Sequence, residues 1–353
     1  MKKLLSLVMA FAMALCLGSF AAAEEGTYEL ALVTDLGTID DGSFNQGSWE
    51  GLVRYAEEYG ISHKYYQPAE QSDDAYLDSI QLAVEGGAKI VVTPGFLFGA
   101  PIYIAQEMYP DVCFILIDAE PNDGTNYRTD ENALGVLYAE EQSGFLAGYA
   151  VVKEGYTKLG FIGGLAVPAV VRFGYGFVQG AEYAAKEMEL DEVTVNYNYC
   201  GVFYATPEVQ ALSAAWYSDG VEVIFGCGGK LGDSVMAAAE AAEGKWVVGV
   251  DVDQSDISET VITSSMKGLR ESVYQAIEAY YNGEFPGGQT WVLGADNDGV
   301  SLPMETSRFS VFTQEDYDAI YAKLVSGEIE LVKDEVTSAA DIPLELTKVT
   351  IVN

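Results

Sequence analysis

The sequence predicts an α/β protein of two topologically similar lobes, each a parallel sheet flanked by helices. Three observations predict it. Short β-rich runs alternate with helical patterns along the chain, the spacing of those runs repeats once, and several of the runs end in Asp or Gly.

The β-rich runs cover residues 30–35, 89–94, 112–118, 158–163, 221–226, 245–251 and 261–264. Between the first two lies a helical pattern over 43–59, with Trp49, Leu52, Val53 and Ala56 on one face. Ser43 followed by Gln46 reads as a capping box and Gly60 as the helix stop. Alternation of this kind implies parallel strands covered by helices on both faces.

The repeat shows in the strand centres. Leu32, Val92 and Leu116 are separated by 60 and 24 residues; Phe161, Ile224 and Val248 are separated by 63 and 24. In open parallel sheets, ligands sit beyond the carboxyl ends of the strands. Asp35, Asp118, Gly226 and Asp251 all end strands, and two facing lobes would converge them on one cleft.

Composition narrows the function. Eighteen Lys and Arg stand against 54 Asp and Glu, a net charge of −36 that disfavours nucleic acid and anionic membranes. A single histidine, His63, excludes multi-histidine metal sites. Cys113, Cys200 and Cys227 lie in or beside apolar runs and read as small buried hydrophobes. The first residues have the layout of a secretory leader: Lys2 and Lys3, an apolar run, then Ala21, Ala22 and Ala23. Cleavage is expected after Ala23. Cys16 offers lipid anchoring as the alternative, but Leu15 stands where lipoprotein processing needs a small residue.

Six blocks carry a resemblance. They are VTDLGTIDDGSFNQGSWEG at 33–51, FILIDAE at 114–120, EEQSGFLAGY at 140–149, GFIGG with VRFGYGFVQGA at 160–181, GVDVDQ at 249–254 and ITSSMK at 262–267. In these the chain resembles the basic membrane protein family of solute-binding proteins, which includes purine nucleoside receptors of ABC transporters. The resemblance implies the two-lobed type I periplasmic binding protein fold, with a three-segment hinge. It places a leader at 1–23, one lobe at 27–130 with 262–298, and the other at 131–261 with 299–353.

It also implies a site in which a purine lies between aromatic rings and polar groups hold the ribose. Asp35, Phe44, Asn45 and Asp118 would come from the first lobe. Phe203, the Gly228 region, Asp251 and Lys267 would come from the second lobe and hinge. The chemistry agrees: aromatic faces stack on any base. Asn45 can present a donor and an acceptor to a purine edge, and Asp251 can accept from two ribose hydroxyls. Lys267 can donate to a sugar oxygen or keep nearby carboxylates ionised. Each residue also has a plainer reading. Phe44 could be a core residue, Tyr204 could replace Phe203, and Lys267 could be a surface lysine. Asp40 and Asp41 read as solvated or helix-capping residues.

Competing chemistries fit less well. TDLGTIDD is superficially like the calcium-chelating turn of nucleoside hydrolases, but Val33 and Leu36 stand where an Asp and a proline belong. The segment 251–262 begins like a calcium loop but carries Asp256 for the turn glycine and Ile262 for the bidentate Glu. Neither G-x-x-x-x-G-K-[ST] nor G-x-S-x-G occurs. The expected function is therefore nucleoside capture and delivery to an ABC permease whose ATPase subunits are separate chains. No catalysis, cofactor, metal or nucleic acid is expected, and the protein is expected to be an exported monomer. A nucleoside-sensing subunit of a signalling receptor is the alternative, with a nucleoside hydrolase behind it.

Overall fold

The computed structural model describes residues 27–35 and 37–352, so the leader expected at 1–23 lies outside the described residues. Successive side chains leave a strand on opposite faces, so an unbroken apolar strand needs cover on both sides. In β1 (Leu30–Val33) every residue is buried. Leu30 and Leu32 share a core with Leu52 and Ala56 of α1 (Phe44–Tyr59). Ala31 and Val33 share the opposite core with Tyr76 and Ile80 of α2 (Asp73–Glu85) and Ile102 of α3 (Gly99–Met108).

The first sheet runs β2 (His63–Tyr66), β1, β3 (Ile90–Pro94), β4 (Cys113–Ile117), β5 (Ala133–Tyr138) and β11 (Gln289–Leu293), all parallel. The second runs β7 (Val193–Tyr199), β6 (Lys158–Gly163), β8 (Val223–Cys227), β9 (Trp246–Asp251) and β10 (Val261–Lys267). Beyond β7 lies β13 (Thr347–Ile351), and beyond β10 the short antiparallel β12 (Val300–Ser301). The order 2-1-3-4-5 thus recurs as 7-6-8-9-10. The spacing repeat in the sequence compared β1, β3 and β4 with β6, β8 and β9, which are topological equivalents.

The expected lobe boundaries need correction at two strands. Ala133–Tyr138 pairs with β4 in the first sheet rather than belonging to the second lobe. Val261–Lys267 pairs with β9 in the second sheet rather than belonging to the first lobe. The chain leaves each sheet after its fifth strand, not before it, and apolar runs on either side of a crossing look alike in sequence. Three segments cross between the sheets: after Tyr138, after Lys267, and between Leu293 and Val300.

Past the first crossing, α4 (Glu140–Lys153) packs against α5 (Pro168–Glu187) in the second lobe. Gly144 and Gly148 of α4 face the backbone carbonyls of Phe173 and Phe177, and Gly176 and Gly180 of α5 face those of Glu141 and Phe145. A Cβ at any of the four would collide with the facing backbone. The close approach fixes where α4 begins relative to α5, and both helices start at the cleft. Cys227 is buried, Cys113 and Cys200 are half-buried, and all three are free.

Candidate functional site

At the first lobe's edge of the cleft, the turn after β1 carries three polar residues in one hydrogen-bonded group. Asp41 Oδ1 accepts from the backbone N–H groups of Ser43 (2.9 Å) and Gln46 (3.0 Å), and its Oδ2 from that of Asn45 (3.0 Å). These are donors a helix start leaves unpaired, so Asp41 caps α1. Burial raises the Asp41 carboxyl, and the Asn45 amide and these N–H groups work against it. The capping box expected from Ser43 and Gln46 is not formed. With Asp41 satisfying the helix start, the Ser43 hydroxyl donates instead to Asp251 Oδ2 in the other lobe, at 2.6 Å, and Gln46 Oε1 accepts from the Gly42 N–H.

Asn45 is buried among these groups. Its Nδ2 donates to Asp35 Oδ1 (3.0 Å) and Asp41 Oδ2 (3.0 Å). Its Oδ1 is buried without a hydrogen-bond partner among the described residues. The expectation that Asn45 offers both a donor and an acceptor is therefore corrected: its amide hydrogens are committed to two carboxylates, and only the carbonyl remains.

Deeper in the cleft, equivalent strands of the two sheets present equivalent residues. Asp118 follows β4 and Asp251 ends β9, and both adopt positive φ, 62° and 69°. Asp tolerates this left-handed conformation better than most residues, at roughly 1–2 kcal/mol. Both meet Lys267, whose Nζ lies 2.6 Å from Asp118 Oδ2, 3.4 Å from Asp251 Oδ1 and 3.9 Å from Glu140 Oε1. Burial by itself would lower Lys267, but Asp118, Asp251 and Glu140 outweigh it and hold the ammonium charged. Burial raises Asp118, with Lys267 opposing it. Glu140, at the start of α4, is pushed up to about 8 by burial and by Asp118, against Lys267 and Arg172. Asp118 Oδ1 and Glu140 Oε2 are buried without hydrogen-bond partners among the described residues.

A cavity of about 550 Å³ lies between the lobes, and all eight expected site residues line it: Asp35, Phe44, Asn45, Asp118, Phe203, Gly228, Asp251 and Lys267. That volume suits a small organic ligand. Phe44 opens α1, and the Lys267 ammonium sits 4.5 Å from its ring centroid. Phe203, in the loop after β7, packs its ring against Gly164 and Gly228, where a side chain would displace it. Tyr204 also lines the cavity but is 63% exposed, at the mouth. The lone histidine is elsewhere: His63 is on the outer strand β2, against Trp49. Among the described residues, no group of three or more His, Cys, Asp or Glu side chains is placed to hold a metal ion.

Two contributors escaped the sequence reading. Glu140 lies in the block EEQSGFLAGY, where two acidic residues head a helix that is otherwise buried. That pattern was the available signal. The Ser43–Asp251 bond joins residues 208 positions apart, and no local pattern announces it.

Comparison with known proteins places this architecture. The Bmp family profile, described as ABC transporter substrate-binding protein PnrA-like, matches residues 28–335. The chain is 29% identical over 299 residues to the ABC transporter nucleoside-binding protein BmpA of Lactococcus lactis, covering 78% of this chain and 82% of that one. It is 26% identical to basic membrane protein A of Borreliella afzelii, covering 87% and 92%. Among solved structures, a solute-binding protein of an ABC transporter system from Aeropyrum pernix superposes with a TM-score of 0.74 at 24% identity, covering 88% and 94%. A second, from Conexibacter woesei, gives 0.68 at 23% identity, covering 87% and 99%.

Proposed function

The chain belongs to the Bmp family of PnrA-like ABC transporter substrate-binding proteins, and on that premise we propose that it captures nucleosides, purine nucleosides above all, and delivers them to a permease. One observation carries the choice of ligand. One inter-lobe cavity is lined by aromatic rings from both lobes, Phe44 and Phe203, and by the polar residues Asn45, Asp118, Asp251 and Lys267. Rings suit a base, and acceptors beside a buried ammonium suit sugar hydroxyls. The Lactococcus lactis relative, a nucleoside-binding protein by name, supports the same reading.

Capture and closure are coupled. Ser43 to Asp251, Gln254 Nε2 to the Gly42 carbonyl (2.8 Å) and Lys267 to Asp118 all span the cleft. A ligand that adds contacts on both sides shifts the lobes toward this closed arrangement by its differential affinity. The closed surface then docks on the permease, whose ATPase subunits are separate chains. The family is extracytoplasmic, and among the described residues no helix is long and apolar enough to cross a membrane. We place the mature N-terminus at Glu24, without lipid. The protein is read as a monomeric binder that turns nothing over, in keeping with its family of substrate-binding proteins.

Calorimetry with inosine, guanosine and adenosine tests the reading. Stoichiometric binding to one site is expected, with no free base released after hours of incubation. Absence of binding by all three would overturn it, and release of base would revive hydrolysis.

A further inference from the structure

The segment that follows β9, residues 252–257, reaches across to the opposite lobe. In the sequence it begins like a calcium loop, but among the described residues no metal cluster is placed there. It is anchored to the second lobe instead. Gln254 N–H donates to Ser264 Oγ (3.0 Å), and Gln254 Oε1 accepts from the Val250 N–H (3.0 Å). Thr306 Oγ1 donates to Asp253 Oδ2 (2.6 Å), and Arg308 Nη2 to the Ser255 carbonyl (3.0 Å).

Three side chains of this anchored segment meet the start of α1 in the first lobe. Gln254, 2% exposed, gives its Nε2 to the Gly42 carbonyl at 2.8 Å. Turning that amide over would oppose two carbonyl oxygens at Gly42 and two N–H groups at Val250, so its orientation is fixed. Ile257 lies over Gly42, where a Cβ would stand 2.9 Å from Ile257 Cδ1. Gly42 also has φ 67°, so position 42 favours glycine on two counts. A Cβ on Gly47 would stand 2.8 Å from Val252 Cγ1, and Val252 shares the first lobe's core with Leu52 and Leu269. The described residues that line the cavity do not include Gly42, Val252, Gln254 or Ile257.

Contacts between lobes that bypass the ligand favour the closed arrangement whether or not the cleft is filled. We propose that residues 252–257 form a closure latch, with Gln254 as its positioning residue, and that the closed arrangement is populated before a ligand enters. The latch raises the affinity of every ligand by one common factor, because binding draws on a competent state already present. Residues lining the cavity set which ligand binds, and the latch sets how firmly any of them is held. The latch does not depend on the identity of the ligand; only a titration with nucleosides rests on the reading above.

The test compares wild type with Gln254→Glu and Ile257→Ala. Gln254→Glu keeps the oxygen that the Val250 N–H needs and sets a second oxygen against the Gly42 carbonyl. Ile257→Ala trims a side chain that is 46% exposed, and should leave folding intact. Small-angle X-ray scattering without ligand, at pH 8, should give both variants a larger radius of gyration than wild type, Gln254→Glu the more so. Calorimetry with inosine, adenosine and guanosine should show all three weakened alike, about fivefold in Gln254→Glu and about twofold in Ile257→Ala, with the ratios among them unchanged. Identical radii for the three unliganded proteins would overturn the latch, and so would a variant that changes the ratios among the nucleosides. If wild type binds none of the three, the nucleoside reading falls and the scattering still decides the latch. If Gln254→Glu does not fold, Ile257→Ala decides it alone.

Discussion

Asp118 and Asp251 occupy the same place in two copies of one topology, yet they are not doing the same thing. Both sit at a strand end with positive φ and both meet Lys267. Asp251 has its second oxygen engaged by Ser43 of the opposite lobe. Asp118 gives one oxygen to Lys267, and its other has no partner among the described residues. The duplicated backbone thus supplies two equivalent carboxylates, and the unlike residues around them make one a fastening between lobes and leave the other with one oxygen unpaired among the described residues. Repetition of a fold repeats positions, while partners decide roles.

The largest expected effect tests what the two carboxylates share. Lys267→Met removes the ammonium between Asp118, Asp251 and Glu140, and breaking a buried charge group on one side typically costs about 3–5 kcal/mol. Urea unfolding should show a loss of that size; wild-type stability in the variant would mean the carboxylates do not depend on Lys267. Next comes the difference between them. Asp118→Asn keeps a residue that tolerates the left-handed backbone, and should cut the advantage of guanosine over 2′-deoxyguanosine by about 1–3 kcal/mol. Asp251→Asn should weaken both ligands alike, because both Asp251 oxygens are committed, to Lys267 and Ser43, rather than free for the two ribose hydroxyls expected of it, and its loss loosens closure. Equal sugar discrimination in the two variants would erase the contrast.

A pair of aromatic substitutions sharpens the comparison of lobes. Phe44→Ala and Phe203→Ala should each weaken nucleoside binding by about 1–3 kcal/mol. Phe44→Tyr should retain most of the affinity, since a ring face remains. Calorimetry on folded Ala variants with unchanged affinity would remove these rings from the site. The smallest effect is on pH dependence. Glu140 is pushed up to about 8 from the ordinary 4.5, so the folded protein holds a proton that the unfolded chain releases. Its contribution is complete below about pH 4.5 and is lost as pH rises through about 8. Glu140→Gln should flatten the fall in Tm between pH 5 and pH 8.5 without abolishing it, because Asp118 is shifted in the same direction. Parallel profiles for variant and wild type would rule out this role.

Much of the fold was legible because strand spacing and strand-end residues are local patterns. The 60/24 and 63/24 separations matched equivalent strands in the two sheets, and Gly60 ends α1 at φ 68° as its type suggested. The crossings were not legible, since nothing local in β5 or β10 marks the sheet it joins and only pairing assigns it. At the site, the residue types at the cleft were readable, but the direction of their hydrogen bonds was not. Asn45 became an acceptor and Ser43 a link between lobes because of Asp35, Asp41 and Asp251, and all three contacts depend on carboxylates that the sequence alone does not orient.

The glycine contacts between α4 and α5 carry a last consequence. Gly144 lies one helical turn from Glu140, and Gly176 lies against the Glu141 carbonyl, at the end of α5 that also bears Arg172 and Phe173. Adding even a methyl group there must push one helix axis away from the other. That shift would travel along two rigid rods to the residues surrounding Lys267. Alanine at these positions would then masquerade as a ligand-contact substitution in any screen that reads affinity, although no atom of the altered residue borders the cleft.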